Sequence, residues 1–235
     1  MTIHGLQKMT LLDFPGRVAC TVFLGGCDLR CPFCHNFELI DGSAPALMDD
    51  TELLAFLEKR RGLLDGVAFT GGEPCLRRDL PELMRKIRDL GFAVKLDTNG
   101  CHPDLLAELL KQGLVDYVAM DIKNSPAKYA QTVGLQDNPA FSLDAIRQSI
   151  ALLIGGETDY EFRTTVVEPL HEAADFYEIG ALIRGAKRYF LQCFTDRDSV
   201  PYEGFSAPSK AAMLAYADIM RDFVRDVQIR GMDGV

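Results

Sequence analysis

Three cysteines fall within eight residues, at Cys27, Cys31 and Cys34, in the string Gly26-Cys27-Asp28-Leu29-Arg30-Cys31-Pro32-Phe33-Cys34. Thiolates are ligands for zinc and for iron–sulfur clusters. A structural zinc site closes with four ligands, and the sequence offers poor candidates for the fourth. His35 follows Cys34 directly and is badly placed to turn back, while Cys75, Cys101 and Cys193 each stand alone. Three thiolates suit a cubane cluster with one iron left open to a substrate or cofactor. Zinc, or three buried cysteines without metal, are the alternatives. Cys20 and Cys75 read as packing residues.

A second constellation is Thr70-Gly71-Gly72-Glu73-Pro74. Glycine lets a backbone approach a ligand closely, and a carboxylate accepts charge-assisted bonds from a cation. The same glycines also serve a tight turn. Further polar residues are Asp97, Thr98, Asn99, Asp121, Lys123, Arg163 and Gln192. Arg163 lies inside a β-rich run. An arginine facing a barrel interior needs an anionic or polar partner, either a ligand carboxylate or an ordinary salt bridge. Phe33 suits either shielding of a bound group or core packing. His171 reads as a surface loop residue.

The elements that must position these groups alternate along the chain. Strands are predicted over Val18–Leu24, Val67–Thr70, Ala93–Asp97, Val115–Ile122, Glu161–Val167 and Arg188–Phe194. Between and after them, amphipathic spacing predicts helices over Thr51–Arg61, Leu80–Leu90, Pro103–Gln112, Ser142–Ile154, Ala173–Arg184 and Ala207–Arg225, with a short run Val227–Arg230 at the end. Such alternation predicts a parallel sheet with crossover helices. Six units fit an α/β partial barrel, (β/α)6, better than a closed eight-unit one. In such folds sites form at the C-terminal ends of strands, where the polar and glycine-rich residues fall. No stretch reads as an interdomain linker; Lys123–Asn138 is the longest segment without a clear element. The prediction is a single domain over residues 1–235.

The chain has 235 residues, a net charge of −9 and seven cysteines. The acidic balance argues against non-specific nucleic-acid binding. No apolar stretch reaches the roughly 20 residues that span a bilayer, and no secretory signal is visible. An odd cysteine count without export argues against a disulfide framework and for a reducing, cytoplasmic setting.

C-x3-C-x2-C with an aromatic before the last cysteine, followed by the Gly71-Gly72-Glu73 string after the next strand, resembles the radical S-adenosylmethionine superfamily. Asp13-Phe14-Pro15-Gly16, Cys34-His35-Asn36, Lys95-Leu96-Asp97-Thr98-Asn99-Gly100, Asp121-Ile122-Lys123 and Tyr189-Phe190-Leu191-Gln192 look like the activating enzymes of glycyl radical enzymes. They are most similar to activators of anaerobic ribonucleoside-triphosphate reductase and of pyruvate formate-lyase.

The resemblance implies a radical SAM domain carrying a 4Fe–4S cluster, with S-adenosylmethionine as second cofactor. Electrons would come from a flavodoxin- or ferredoxin-type donor, and the substrate would be a glycyl radical enzyme, with neither nucleic acid nor membrane as partner. It implies that Cys27, Cys31 and Cys34 ligate three irons while S-adenosylmethionine chelates the fourth. Gly71, Gly72 and Glu73 would hold the methionyl ammonium. Asp121 and Lys123 would contact ribose and methionyl groups, and Arg163 the methionyl carboxylate. Asp97 and Thr98 would contribute to a monovalent-cation site, next to Asn99. Phe33 and Gln192 would lie at the cofactor, although a histidine found near the sixth strand in pyruvate formate-lyase activators has no counterpart here. The competing family is that of small-molecule enzymes such as 7-carboxy-7-deazaguanine synthase, which has tryptophan or tyrosine at the place of Phe33 and aspartate-threonine at the place of His35-Asn36.

Overall fold

Strands and helices follow one another as the apolar pattern predicts, preceded by a strand that the pattern does not reveal. The computed structural model describes residues 1–139 and 141–232; of the range read as one domain, 140 and 233–235 lie outside the described residues. Its contacts divide the chain into two compact units. One comprises Met1–Asp28, Asn36–Ala119 and Glu157–Asp159, and the other Leu29–His35, Met120–Gly156 and Tyr160–Val235.

The first unit begins with β1 (Thr2–Thr10) and β2 (Ala19–Leu24), which pair antiparallel with Thr10 opposite Ala19. A short helix α1 (Phe37–Asp41) leads to β3 (Met48–Asp49), an edge strand beside β1, and then to α2 (Asp50–Glu58). Next come β4 (Gly66–Gly71), α3 (Leu80–Asp89), β5 (Ala93–Thr98) and α4 (Pro103–Lys111). Strand β6 (Tyr117–Asp121) starts in this unit. Strands β2, β4 and β5 run parallel, with Leu24 opposite Gly71 and Phe69 opposite Leu96. Their C-terminal ends therefore share one edge. Strands β2 and β4 are buried along almost their whole length, which suits continuous apolar runs covered on both faces. Helix α3 buries Leu80, Leu83, Met84 and Ile87, one face at helical spacing. Asp49 and Glu52 close a capping box at the start of α2.

The second unit holds the short α5 (Tyr129–Thr132), α6 (Leu143–Gly155), β7 (Asp159–Val166), α7 (Ala173–Leu182), β8 (Arg188–Cys193), α8 (Lys210–Arg221) and β9 (Asp226–Arg230). Strands β7, β8 and β9 run parallel, with Phe162 opposite Tyr189 and Arg188 opposite Asp226. Phe176 of α7 stacks on Tyr216 of α8 with centroids 4.3 Å apart.

Six strands (β2, β4, β5, β6, β7 and β8) alternate with crossover helices, as expected. Among the described residues, β3 has β1 as its only neighbour in the first unit and β9 has β8 as its only neighbour in the second, so each unit ends in a free sheet edge, and the class is α/β of the partial-barrel type. Strand β1 escaped the sequence reading because Ile3 and Thr10 are its only fully buried residues, which leaves no alternation to see. The last helix starts later than expected. Pro208 disfavours helix at residue 207, and the Ser209 hydroxyl caps the helix by accepting from Ala212 N. The run Val227–Arg230 is the core of β9, and the uncertain segment Lys123–Asn138 contains α5.

Candidate active site

The exits of β2 and β4 are laced together by backbone. Gly72 N donates to Leu24 O at 2.9 Å and Glu73 N to Gly26 O at 2.8 Å. The approach is so close that a Cβ on Gly72 would lie 1.9 Å from Gly26 O. One on Gly71, whose φ is +114°, would lie 2.4 Å from Leu24 O. Glycine is thus required here by the chain's own backbone, which brings the entry of the cysteine loop against the GGE string. Asn36 Nδ2 donates to Gly71 O at 3.0 Å from the other side of that loop.

Glu73 is fully buried. Its carboxylate accepts from Cys75 N at 2.8 Å, from the Thr98 hydroxyl at 2.9 Å and from Asn99 N at 2.6 Å. Burial pushes its pKa up to about 7 despite these three donors.

Asn99 lies beyond the end of β5 and is also buried. Its Oδ1 accepts from Cys101 N at 2.9 Å, and its Nδ2 donates to Asp28 Oδ1 at 2.8 Å and to Cys27 Sγ at 3.8 Å. Asp28 Oδ2 lies 3.2 Å from His102 Nε2. Burial opposes charge on Asp28, but His102 and Asn99 outweigh it and hold the pKa below the ordinary value. Asp97 pairs with the buried ammonium of Lys95, so a cation is already present at one of its oxygens.

The second unit carries its own polar group. Asp121 Oδ1 accepts from Arg163 Nε at 2.6 Å, and Oδ2 lies 2.7 Å from Lys123 Nζ. Burial works against the Asp121 charge, but Arg163 and Lys123 hold its carboxyl well below the usual range. Burial likewise opposes charge on Lys123, and Asp121 overcomes it. Cys31 is buried near this group, and burial raises its thiol to about 11 although Lys123 pulls the other way.

Phe33 packs edge-on against Phe194 and Phe205, with centroids 6.5 and 6.2 Å away. His35 stacks on Phe194 at 5.3 Å and its Nε2 is 2.7 Å from Thr195 O. Cys34 N donates to Cys31 O at 3.2 Å, closing a turn. Gln192 is half-buried on β8, between Thr165 and Arg230 in register.

His171 is not the surface residue the sequence suggested. It is buried, accepts from Val167 N at Nδ1, and its Nε2 lies 2.8 Å from Lys123 O. The sequence reading also missed Asp28, His102 and Lys95. Lys95 had a signal, because residues two apart on a strand share a face. Asp28 had none, since the interior of the C-x3-C spacing carries no pattern. Among the described residues no three His, Cys, Asp or Glu side chains converge as ligands of a single ion would. A cubane cluster makes a different demand, since each cysteine takes its own iron.

Comparison with known proteins follows the same lines. A Methanocaldococcus jannaschii protein provisionally named a glycyl-radical enzyme activating enzyme is 28% identical over 240 residues, covering 99% of this chain and 97% of its own. The pyruvate formate-lyase-activating enzyme of Clostridium pasteurianum is 33% identical over 127 residues, 52% of each chain. The 7-carboxy-7-deazaguanine synthase of Thermococcus kodakarensis is 32% identical over 134 residues, 48% of this chain and 52% of its own. In both of these the match spans about half the relative's length. The crystal structure of Streptococcus suis SuiB bound to S-adenosylmethionine shares the fold, with a TM-score of 0.69 at 12% identity over 91% of this chain and 52% of that one. The Radical SAM superfamily model matches residues 21–173. That span holds the three cysteines, the GGE string and the Asp121–Lys123–Arg163 group, and the chain belongs to the radical SAM superfamily, whose cofactors are a 4Fe–4S cluster and S-adenosylmethionine.

Proposed function

We propose that this chain activates a glycyl radical enzyme, and that its partner is an anaerobic ribonucleoside-triphosphate reductase. The observation that carries the first part is the likeness to the Methanocaldococcus jannaschii relative, which runs through nearly all of both chains. The strings Asp13–Gly16 and Tyr189–Gln192 support the choice of partner, by resemblance.

The donor set fits the cofactors. Three thiols stand in one loop, and a buried carboxylate lies at the edge where that loop begins. When bound, the cluster and S-adenosylmethionine supply reductive cleavage of the sulfonium to methionine and a 5′-deoxyadenosyl radical, which takes a hydrogen atom from the partner's glycine. Cys27, Cys31 and Cys34 would hold the cluster. Glu73, with the Gly71–Gly72 backbone, would receive the methionyl ammonium. Lys123 and Arg163 would face the methionyl carboxylate, and Asp121 keeps both cations in place while contacting the ribose. Asp97, Thr98 and Asn99 would line the same edge, and Phe33 and Gln192 would meet the adenosine end. The electron would arrive from a flavodoxin- or ferredoxin-type protein.

Electron paramagnetic resonance on reduced protein, S-adenosylmethionine and the reductase tests the reading. A glycine-centred doublet is expected, and it should vanish when the partner's glycine is replaced by alanine. Cofactor cleavage with no doublet would overturn it. The second reading, a small-molecule enzyme, is favoured by the match to 7-carboxy-7-deazaguanine synthase. Phe33 and His35-Asn36 depart from that family's pattern, and Asn36 is bonded to the GGE backbone.

A further inference from the structure

The side-chain amide of Asn99 has its orientation dictated by its surroundings. Cys101 N is a donor, so the atom 2.9 Å from it must be the amide oxygen. The NH2 group then necessarily faces Asp28 and Cys27. The nitrogen lies 2.8 Å from Asp28 Oδ1 and 3.8 Å from Cys27 Sγ, and it carries two hydrogens to serve these two acceptors. The backbone N–H of the same residue is fixed on Glu73, and Asp28 is braced from behind by His102. The amide can neither flip nor swing away without losing several bonds.

Cys27 Sγ also lies 3.9 Å from Asp28 Oδ1. As a thiol, the sulfur can donate to that oxygen. An iron-bound thiolate has lost its proton, which leaves two acceptors facing each other. The Asn99 NH2 is the donor that both can share.

We propose that Asn99 is a positioning residue for the cluster, donating an N–H···S bond to the Cys27 thiolate and so raising the cluster's reduction potential. This rests on the reading that Cys27 ligates the cluster. A donor to the sulfur draws negative charge from the iron–thiolate unit, and the reduced state, being the more negative, gains more from it. The effect makes the electron easier to accept from a weak donor. It leaves less driving force for the sulfonium cleavage that follows.

The test is an anaerobic redox titration of reconstituted protein, followed by electron paramagnetic resonance without S-adenosylmethionine. Asn99→Ala is expected to keep about four irons per chain and to shift the reduction equilibrium about tenfold toward the oxidised cluster, about 59 mV for one electron. Asn99→Asp covers the case in which the alanine variant fails to fold. It can still accept from Cys101 N but sets a carboxylate beside the sulfur, and its potential should fall at least as far. A full cluster with an unchanged potential in either variant would overturn the proposal. Failure of the parent protein and of Cys101→Ala alike to hold iron would instead sink the cluster reading itself.

Discussion

Thr98 Oγ1 donates to Glu73 Oε1 at 2.9 Å, tying the last residue of β5 to the carboxylate that follows β4. With Cys75 N and Asn99 N on the same carboxylate, Glu73 is a structural knot before it is a ligand. Removing it strands three buried donors. Each unsatisfied group costs about 1–3 kcal/mol. Glu73→Ala is therefore expected to lower the unfolding free energy by about 3 kcal/mol or more. Urea unfolding, with an unchanged slope, checks it.

The same group gives a pH signature. Its carboxyl has an ordinary value of 4.5 and is raised to about 7 when folded. Between these values the folded state holds the extra proton, so stability falls as pH rises through the window. The loss is about 3 kcal/mol at most. Glu73→Gln cannot titrate and should flatten that slope relative to the parent. Equal slopes in the two proteins would contradict the burial argument.

Gly72→Ala should be among the most damaging small substitutions. Its methyl would sit 1.9 Å from Gly26 O, a backbone atom that can move only by breaking the Glu73 N bond to it. A loss of about 3 kcal/mol or more is expected, together with poor iron incorporation. Thermal melts and iron analysis on the same sample measure both.

Asp121 neutralises two half-buried cations. Asp121→Ala leaves Arg163 and Lys123 without their shared partner, and breaking such a group costs about 3–5 kcal/mol. Its carboxyl is held below the ordinary 3.8 when folded, so this stabilisation is present above that value and is lost as pH falls further. The parent should lose more stability on acidification than Asp121→Asn does. Denaturant midpoints between pH 4 and pH 2 decide the matter.

Cysteine variants separate ligands from packing residues. Cys27→Ala, Cys31→Ala and Cys34→Ala should each lose the cluster, whereas Cys101→Ala should retain about four irons per chain. Iron and acid-labile sulfide assays read the outcome. Stoichiometric zinc without sulfide would refute it.

Legibility in the sequence followed the strength of the periodic signal. Strands β2 and β4 were readable because burial on both faces makes them continuous apolar runs, as in Val67–Phe69. Strand β1 was not, because most of its residues are exposed or half-buried, with no alternation. Glu73, Asp121, Lys123 and Arg163 were identified from type and position, yet their bonds were not. The sequence suggested that Glu73 waits for a ligand, whereas three of its acceptor directions serve the fold. The cluster around Asn99 was invisible because it joins Asp28, Asn99 and His102 across more than 70 positions, and no local pattern encodes such a meeting.

The contact of Gly72 with Gly26 has a consequence for grafting. The cysteine loop and the GGE string are far apart in sequence, but neither backbone can shift without the other. A transplant of the loop into a foreign sheet would fail unless the neighbouring strand and its paired glycines travelled with it. The two segments act as one module, locked by the missing side chains of Gly71 and Gly72.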